Sequence, residues 1–499
     1  MKKTAAARPV KGKKSLSYRG IESTPNRRTP QTKTSHEVAM LTGTKRQAQS
    51  GTVRDDRRSF TVLAWMIRRH LDNVSRFTPH IRTGDDNLNA ILRKLIRWHG
   101  MRRNFDALGR HGRDESMRLF EACKVISGDA GLLKVAGGKL QGIEGDRLAL
   151  PGGASGTHAV KLGNEDITFN SDALSFDPAG QRRFWCLCKR AGETGAQLEF
   201  ERALPADDLF FDGYWPERFD AHRGVSPIIT ALNEGADVRE TWEWMVLKTK
   251  ASSILGFAFT RRGSDPLNPT QGEDPDAAPT SESTSYTQQL AAGIKARGLI
   301  NLDLDEGDDV KEIESKNPSK EGIELTRELI RVVLLSLDIP FTFYDSLTAS
   351  FSARIADRNE YEESCESKRQ KNVDILDEVY AGWLIPMWAE INKFGLGKAI
   401  KDSGIDIEEV AASIRWVPAG KPWLDRTGEM SGHILSLAAG VTSTPRICAA
   451  YGDDAYEIAA EQKEYLEKSG IPLLYAQGGQ VSVQSILDGQ VKGKSDEPK

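Results

Sequence analysis

The spacing of apolar residues divides the first half of the chain into helical and strand-forming regions. Before residue 124, apolar positions recur at helical spacing in segments that begin near Ser59, Asp85 and Asp114. Residues 124–214 instead show short alternating runs broken by glycines, a pattern that predicts strands. The sequence therefore predicts three helices followed by an antiparallel β subdomain.

The second half of the chain is predominantly helical by the same criteria. Ser226 and Pro227 predict the cap and first turn of a long helix that ends near residue 255. Residues 322–383 combine an apolar helix, a loop rich in hydroxyl and aromatic residues, and a long charged helix. The apolar helix keeps its polar residues in one stripe, so we expect neighbours on most of its sides.

Composition indicates a soluble globular protein of two to four domains, with 499 residues, 39% hydrophobic and 28% charged. We expect a cytosol-like compartment, because no apolar run approaches the ~20 residues that span a bilayer and no signal peptide is evident. Five scattered cysteines argue against a disulfide framework. Cys186 and Cys188 are interpreted as small residues on one face of a buried strand.

Positive charge is concentrated in residues 1–58, which hold 15 lysines and arginines against four acidic residues. Such a segment has few large apolar residues to offset its ordering entropy, so we expect a mobile tail. It would either contact nucleic acid or an acidic protein surface, or serve only as a solvating tail.

Sequence motifs for common enzymatic chemistry are incomplete. Gly395-Leu-Gly-Lys398 lacks the spacing of a phosphate loop, and His36-Glu37 lacks the second histidine of a zinc pair. The acidic cluster from Asp303 to Glu314 is the one candidate for hard cations, but a solvated or channel-facing acidic hairpin explains it better. We therefore predict no enzyme activity, no catalytic residue, no metal site and no cofactor.

Four blocks of sequence, in order, resemble the lambda-type portal proteins of tailed bacteriophages. They are His222-Arg-Gly-Val-Ser-Pro227 with its helix, the hairpin region 298–318, the stretch 337–354, and Trp416-Val-Pro-Ala-Gly-Lys-Pro-Trp-Leu-Asp425. The third block resembles the family's helix-end turn and Ser-Ser-Ala-Arg helix start. Asp338 stands where the family has glycine, and Arg426 where it has proline.

The resemblance implies an α+β portal fold that is mostly helical, with a β-rich wing and a small α/β clip, assembling as a ring. The implied divisions are a basic mobile tail (1–58), the wing (59–225), a stem helix (226–257), a clip-like excursion with the acidic hairpin (258–320), a second stem helix (321–339), a tunnel loop (340–353), a long helix returning to the wing (354–400), a crown-side helical region (401–475) and a disordered tail (476–499).

The implied function is that of a head-tail connector in the virion, present in the host cytoplasm during assembly. A ring at one capsid vertex, usually a dodecamer, passes double-stranded DNA during packaging and ejection. The ring also docks the terminase large subunit, the major capsid protein and head-completion or adaptor proteins. No interaction with a membrane is expected.

Three groups of residues carry this expected function. The DNA-facing tunnel loop comprises Thr342, Ser346, Thr348, Ser350, Ser352 and Arg354. The motor-facing clip comprises Asp303, Asp305, Glu306, Asp308 and Asp309, and the stem packs through Trp242, Met245, Leu329 and Val333. Arg354 and Arg358 fit an ion pair with residues 360–363 of a neighbouring helix at least as well as contact with phosphate.

Two functions of different classes are also compatible with the sequence. One is a metal-dependent nuclease or processing enzyme that uses the acids between Asp303 and Glu314. The other is a DNA-binding module that acts through the basic tail.

Overall fold

The computed structural model describes residues 41, 44–154, 156–192, 197–215, 218–254, 257–261, 308–312, 320–347, 349–420 and 425–470, with backbone only for 251–254, 257–261 and 308–312. Its α-helices are α1 (Thr44–Ser59), α2 (Thr61–Val74), α3 (Asp86–His99), α4 (Arg102–Phe105), α5 (Arg113–Ser127), α6 (Leu232–Ile254), α7 (Lys320–Leu335), α8 (Phe351–Val379), α9 (Ile385–Glu390), α10 (Leu396–Ser403), α11 (Ile407–Ala412), α12 (Arg426–Ala438), α13 (Thr444–Ala450) and α14 (Ala455–Ser469).

Small sheets account for the β structure in the described ranges. The strands are β1 (Phe77–Ile81), β2 (Asp129–Val135), β3 (Lys139–Glu144), β4 (His158–Leu162), β5 (Glu165–Phe169), β6 (Leu174–Phe176), β7 (Arg182–Ala191), β8 (Gln197–Pro205), β9 (Leu209–Gly213), β10 (Phe257–Arg261), β11 (Asp308–Glu312) and β12 (Ile414–Pro418). They pair in the orders β3-β2-β9, β6-β7-β8, β4-β5, β1-β12 and β10-β11.

The described residues group into two compact units. The first unit comprises the described residues up to Thr52 together with Ile81–Ser226 and Ile375–Ile414. The second comprises Val53–His80, Pro227–Asp374 and the described residues from Arg415 onward. Each unit therefore collects segments that are far apart in sequence.

The antiparallel β region predicted from residue 124 to 214 is confirmed, with strands from β2 to β9. Alternation along these strands buries two apolar clusters within the first unit. One cluster comprises Leu133, Ile143, Leu148, Leu174, Trp185, Leu187, Leu204 and Leu209. The other includes Cys186 and Cys188, both buried on β7 as expected, although a register shift lies between Leu187 and Cys188.

The expectation of a mobile tail up to residue 58 is wrong for its last part. Residues 44–58 belong to α1, and residues 1–40, 42 and 43 lie outside the described residues. The Arg46 guanidinium is buried and donates to the carbonyl oxygens of Ser127 (3.0 Å) and Gly224 (2.8 Å). The Ser50 hydroxyl donates to Ser127 Oγ at 3.1 Å. Buried polar contacts therefore order a segment that apolar content alone would leave free.

Arg223, in the first portal-like block, joins several segments of the first unit. Its guanidinium donates to both carboxylate oxygens of Asp129 at 2.7 and 3.0 Å. It also donates to the carbonyl oxygens of Leu148 (2.6 Å), Asp172 (3.2 Å) and Gly145 (2.7 Å). The block therefore carries a structural arginine that connects β2 to the turns beside it.

The charge of Asp129 is compensated although its side chain is fully buried. Burial alone would raise the pKa of Asp129, but the guanidinium groups of Arg223 and Arg46 hold that pKa below its ordinary value. Burial lowers the pKa of Arg46 to about 10, and the positive charge of Arg223 contributes in the same direction. Arg46 and Arg223 therefore share one carboxylate as their counter-ion.

A histidine stands among aromatic rings in the same unit. The Nε2–H of His99 donates to the carbonyl oxygen of Gly138 at 2.8 Å, and its Nδ1 accepts from the Tyr380 hydroxyl at 3.0 Å. The His99 ring also contacts Phe105 and Trp388 at centroid distances of 5.1 and 5.4 Å. Burial lowers the pKa of His99 to about 4, so the imidazole is neutral near pH 7.

Two local expectations in the helical regions are corrected. The Ser226 hydroxyl donates to the carbonyl oxygen of Val125 at 2.6 Å. The chain enters α6 through a short turn at Pro227–Ala231, so the α-helix begins at Leu232 and not at Pro227. Outside the helices, strand β11 pairs antiparallel with β10, and the strand predicted near residue 300 lies outside the described residues, so the hairpin stays a prediction. The helix predicted from 354 to 400 begins at Phe351 and ends at Glu390.

The end of that long helix has a local backbone cause. A π-helical turn at Tyr380–Leu384 links α8 to α9, so the helical path continues to Glu390. Asn392 and Phe394 then adopt left-handed backbone angles, both with φ of 49°. Because a right-handed helix cannot continue through such residues, α10 begins as a separate helix.

Candidate nucleic-acid interface and stem

The predicted tunnel loop begins at a tightly defined helix end in the second unit. The amide of Ile339 donates to the carbonyl oxygen of Leu334, and that of Asp338 to Leu335, both at 3.1 Å. Asp338 has a φ of 59°, so it takes the left-handed position that glycine usually occupies in this Schellman turn. Lys368 Nζ lies 2.7 Å from Asp338 Oδ2. Asp338 therefore performs the conformational role of the family's glycine.

Aromatic side chains anchor the first half of the loop. The Phe343 ring meets Tyr361 on α8 at a centroid distance of 5.3 Å, and the Tyr344 ring meets Trp65 on α2 at 5.9 Å. The guanidinium of Arg331 lies over the Phe341 ring at 5.1 Å. These contacts fix the residues around the short helical turn at Phe341–Phe343 against neighbouring helices.

The five predicted loop hydroxyls have different environments. Thr342 Oγ1 donates to Asp357 Oδ2 at 2.7 Å, and Ser350 Oγ accepts from the amide of Ala353 at 3.2 Å. Ser350 therefore caps the start of α8, which is the structural basis of the Ser-Phe-Ser-Ala-Arg motif. Ser346 and Ser352 are exposed, whereas Thr348 lies outside the described residues.

Exposed apolar side chains accompany these hydroxyls, and the sequence analysis did not assign them a role. Leu347 is 92% exposed, and Phe351 is also exposed at the start of α8. The available signal in the sequence was the position of these two apolar residues among the hydroxyl residues of the loop and of the helix start. The loop surface is therefore mixed and not purely polar.

A basic cavity lies beside the loop within the second unit. It has a volume of about 430 Å³, and its walls come from α2, α8, the loop and residues 419–420. Thr342, Ser346 and Arg354 from the predicted DNA-facing set all line it. The other charged residues in its walls are Arg69, Asp72, Arg76, Arg358, Glu362 and Arg369. The structure thus brings half of the predicted loop set to one positively charged hollow.

The stem residues predicted from sequence lie on α6 and α7, which pack against each other. Val333 is buried, while Leu329 is partly buried. Met245 Sδ lies 3.8 Å from Thr326 Oγ1 across the α6–α7 contact, and the Trp242 ring meets Phe60 at a centroid distance of 6.3 Å. These four side chains therefore take part in packing within one chain.

Only part of the predicted clip falls within the described residues. Asp303, Asp305 and Glu306 lie outside the described residues. Asp308 and Asp309 lie on β11, opposite Arg261 and Thr260 of β10, and only their backbone is described. Among side chains that the structure describes, no group of three or more His, Cys, Asp or Glu residues is arranged to hold a metal ion. No described helix has the length and apolar character required to cross a membrane.

Comparison with known proteins identifies the class to which this fold and loop belong. Residues 28–369 match the family model described as phage portal protein, lambda family. Because the match covers more than half of the sequence, the chain belongs to the lambda family of phage portal proteins. The resemblance, the α+β class and the portal function predicted from sequence are confirmed, and the family is one of structural proteins.

Solved structures give more distant similarities. A chain in the neck of a native gene transfer agent particle, computed with C12 symmetry, is 15% identical with a TM-score of 0.42, over 81% of this chain and 93% of that one. A chain of a native gene transfer agent virion is 17% identical with a TM-score of 0.41 and the same coverage. An HK97 family portal protein from Corynebacterium diphtheriae is 11% identical with a TM-score of 0.34, over 66% of this chain and 92% of that one. Among curated proteins, none is significantly similar in sequence.

Proposed function

We propose that this portal protein forms a closed ring of identical subunits, with twelve as the expected number, at one vertex of the capsid. Double-stranded DNA passes through its centre during packaging and ejection. The proposal rests on family membership and on one structural observation, the exposed apolar surface of the two stem helices.

That surface lies on α6 and α7, away from their mutual contact. Trp244 is 68% exposed and Leu335 is 63% exposed, and Leu247, Leu325 and Val332 are also exposed. Burying a side chain of this size stabilises an assembly by roughly 1.5–3 kcal/mol before association costs are subtracted. In a ring, the same two helices of every subunit present such a face to a neighbour, which supports assembly through the stem.

The predicted tunnel loop, residues 340–353, which runs into the first residues of α8, is proposed to line the DNA passage. Its exposed residues Ser346, Leu347 and Ser352 carry no charge. Each phosphate neutralised by a fixed cation adds salt-dependent affinity, which would resist translocation. A neutral surface of hydroxyl and apolar groups therefore suits a passage through which DNA must slide.

The segment between the stem helices is proposed to act as the clip. Its acids Asp303, Asp305, Glu306, Asp308 and Asp309 would face the terminase large subunit and later the adaptor proteins that complete the head. Hydrolysis of ATP would belong to the motor, so this chain itself would not be an enzyme. The ring would reside in the virion beside the major capsid protein, after assembly in the host cytoplasm.

Electron microscopy and native mass measurement of the purified chain test the proposal. A closed ring with a central hole is the expected result, and Leu335→Asp should reduce the ring fraction at least tenfold, because it places a charge against an apolar neighbour. Leu108→Asp is the matched control, since Leu108 is 67% exposed in the first unit. A monomer under all conditions would overturn the proposal.

The alternative activities have separate tests. Magnesium-dependent DNA cleavage that is lost in Asp305→Ala with Asp309→Ala would favour a nuclease. Deleting residues 1–43 leaves α1 intact and tests the tail directly, because the portal proposal predicts that rings still form. No observation on the described residues favours either alternative.

A further inference from the structure

Helix α8 carries opposite charges on opposite faces of its first turns. Arg354 and Arg358 lie on one face, one turn apart, and Glu360, Glu363 and Glu366 lie on the other. At 3.6 residues per turn, the mean directions of the two sets differ by roughly 160°. The two sets also occupy overlapping turns, because Glu360 follows Arg358 by only about 3 Å along the helix.

The basic face lines the cavity beside the tunnel loop. Five arginines and two carboxylates surround this hollow of about 430 Å³. Arg369 is paired with Glu362, and its Nε donates to the carbonyl oxygen of Asn73 at 2.6 Å. Arg354 and Arg358 form no ion pair with any residue whose side chain is described. The cavity therefore has an excess of positive charge, which favours binding of an anionic group from outside this subunit.

The acidic face has the complementary property. Glu360, Glu363 and Glu366 are exposed, and none of the three forms an ion pair within the described ranges. One subunit thus presents an uncompensated cation pair on one side of α8 and uncompensated carboxylates on the other. These two sides cannot meet within a single helix.

We propose that the cavity receives Glu360 and Glu363 of the neighbouring copy of this chain when the ring closes. The proposal rests on the ring argued above. In a closed ring of more than two subunits, neighbours meet head to tail, so the two surfaces at each contact differ. A helix with one basic and one acidic face supplies both surfaces. Arg354, predicted from sequence to face DNA, is thereby assigned to the contact between subunits.

Charge reversal tests this contact with two double variants. The first carries Arg354→Glu with Arg358→Glu, and the second carries Glu360→Arg with Glu363→Arg. Each variant alone places like charges at every contact, which should raise the subunit concentration for half-assembly roughly tenfold or more. Mixed in equal amounts, they should form rings again, because every contact in an alternating ring joins opposite charges. Native mass spectrometry identifies such rings by their equal content of both variants.

Several controls make the result decisive. Arg103→Glu changes an exposed arginine in the first unit and should leave ring formation unchanged. Circular dichroism checks that each variant folds, and if a reversal prevents folding, Arg354→Gln with Arg358→Gln removes the charges without repulsion. That neutral variant should still raise the half-assembly concentration severalfold.

Other outcomes contradict the contact. Rings from both reversed variants alone, or no rings from their mixture, would overturn it. Intact rings of Arg354→Glu with Arg358→Glu that bind mixed-sequence double-stranded DNA more weakly than the unmodified ring would assign the cavity to phosphate instead. Ring formation by the unmodified chain separates the two proposals. If that chain forms no ring, the proposed function itself fails, and if it does, the variants test the contact alone.

Discussion

Replacing Arg223 by alanine should weaken the β subdomain of the first unit by about 3–5 kcal/mol, the range for breaking a buried ion pair. The variant leaves the Asp129 carboxylate fully buried, with Arg46 Nη1 at 3.6 Å as its remaining guanidinium. It also removes the donor to three carbonyl oxygens, including those of Leu148 and Gly145. Each acceptor left unpaired adds to the cost, although such terms do not sum independently.

Amide hydrogen exchange measured by mass spectrometry reports this loss locally. Peptides covering β2 and β9 should exchange roughly 10²- to 10⁴-fold faster in Arg223→Ala. Peptides from α7 and α8, which belong mainly to the second unit, serve as an internal reference and should change much less. Arg183→Ala is the matched control, because Arg183 makes a paired contact with Glu165 at the surface, where its loss should be marginal.

The pH dependence supplies a second check on the same group. The pKa of Asp129 is lowered in the folded chain, so its stabilising effect is complete above its ordinary value of 3.8 and is lost as pH falls through the folded value. Equal exchange in Arg223→Ala and Arg183→Ala would refute the reasoning, since it would mean that the buried carboxylate needs no second guanidinium.

Three further changes probe other features of the fold. Asp338→Ala should be about 1 kcal/mol less stable than Asp338→Gly in urea unfolding, because position 338 is left-handed, and the reverse order would contradict that geometry. Burial lowers the pKa of His99 from 6.5 to about 4 in the folded chain, so the unfolded chain binds a proton at a higher pH than the folded chain does. The free energy of unfolding should therefore drop by about 3 kcal/mol between pH 7 and pH 4, and an equally steep decline in His99→Gln would exclude His99 as its source. Gly420→Ala should lower the free energy of unfolding by ~1–3 kcal/mol in thermal unfolding, since a Cβ there would collide with the carbonyl oxygen of Tyr451. Gly432→Ala, where the added Cβ meets open space, should raise it by ~0.5–1 kcal/mol, and similar effects at both positions would count against the close approach of Gly420 to Tyr451.

Local signals in the sequence predicted much of this fold. Alternation and glycine spacing located the strands between 129 and 213. The helix predicted to begin near Asp85 does begin there, because the Asp85 side chain accepts from the amide of Leu88 and caps α3. The portal-like turn before Pro340 was recognisable even with Asp338 in place of glycine. These features depend on residues within a few positions of one another, so a local sequence pattern is sufficient to predict them.

The remaining features depend on distant partners or on unusual backbone angles. Arg46 is ordered by carbonyl groups 81 and 178 residues away, and no local pattern distinguishes it from the solvated cations around it. Likewise, β10 pairs with β11 across a long excursion, so the hairpin expected near residue 300 could not reveal that pairing. The helix end after Glu390 depends on left-handed Asn392 and Phe394, and residues other than glycine adopt that conformation only uncommonly, so the sequence did not mark this end.

The division of each unit among distant stretches of sequence has a consequence for synthesis. The first unit includes Ile375–Ile414, so the segment up to Ser226 emerges from the ribosome without part of its own core. Translation from Ser226 to Ile375 takes roughly 7–30 s at ~5–20 residues per second. Throughout that interval His99 lacks its contacts with Tyr380 and Trp388, so the aromatic surface around it remains exposed to solvent. The nascent chain therefore needs protection from aggregation well before a subunit is ready to assemble.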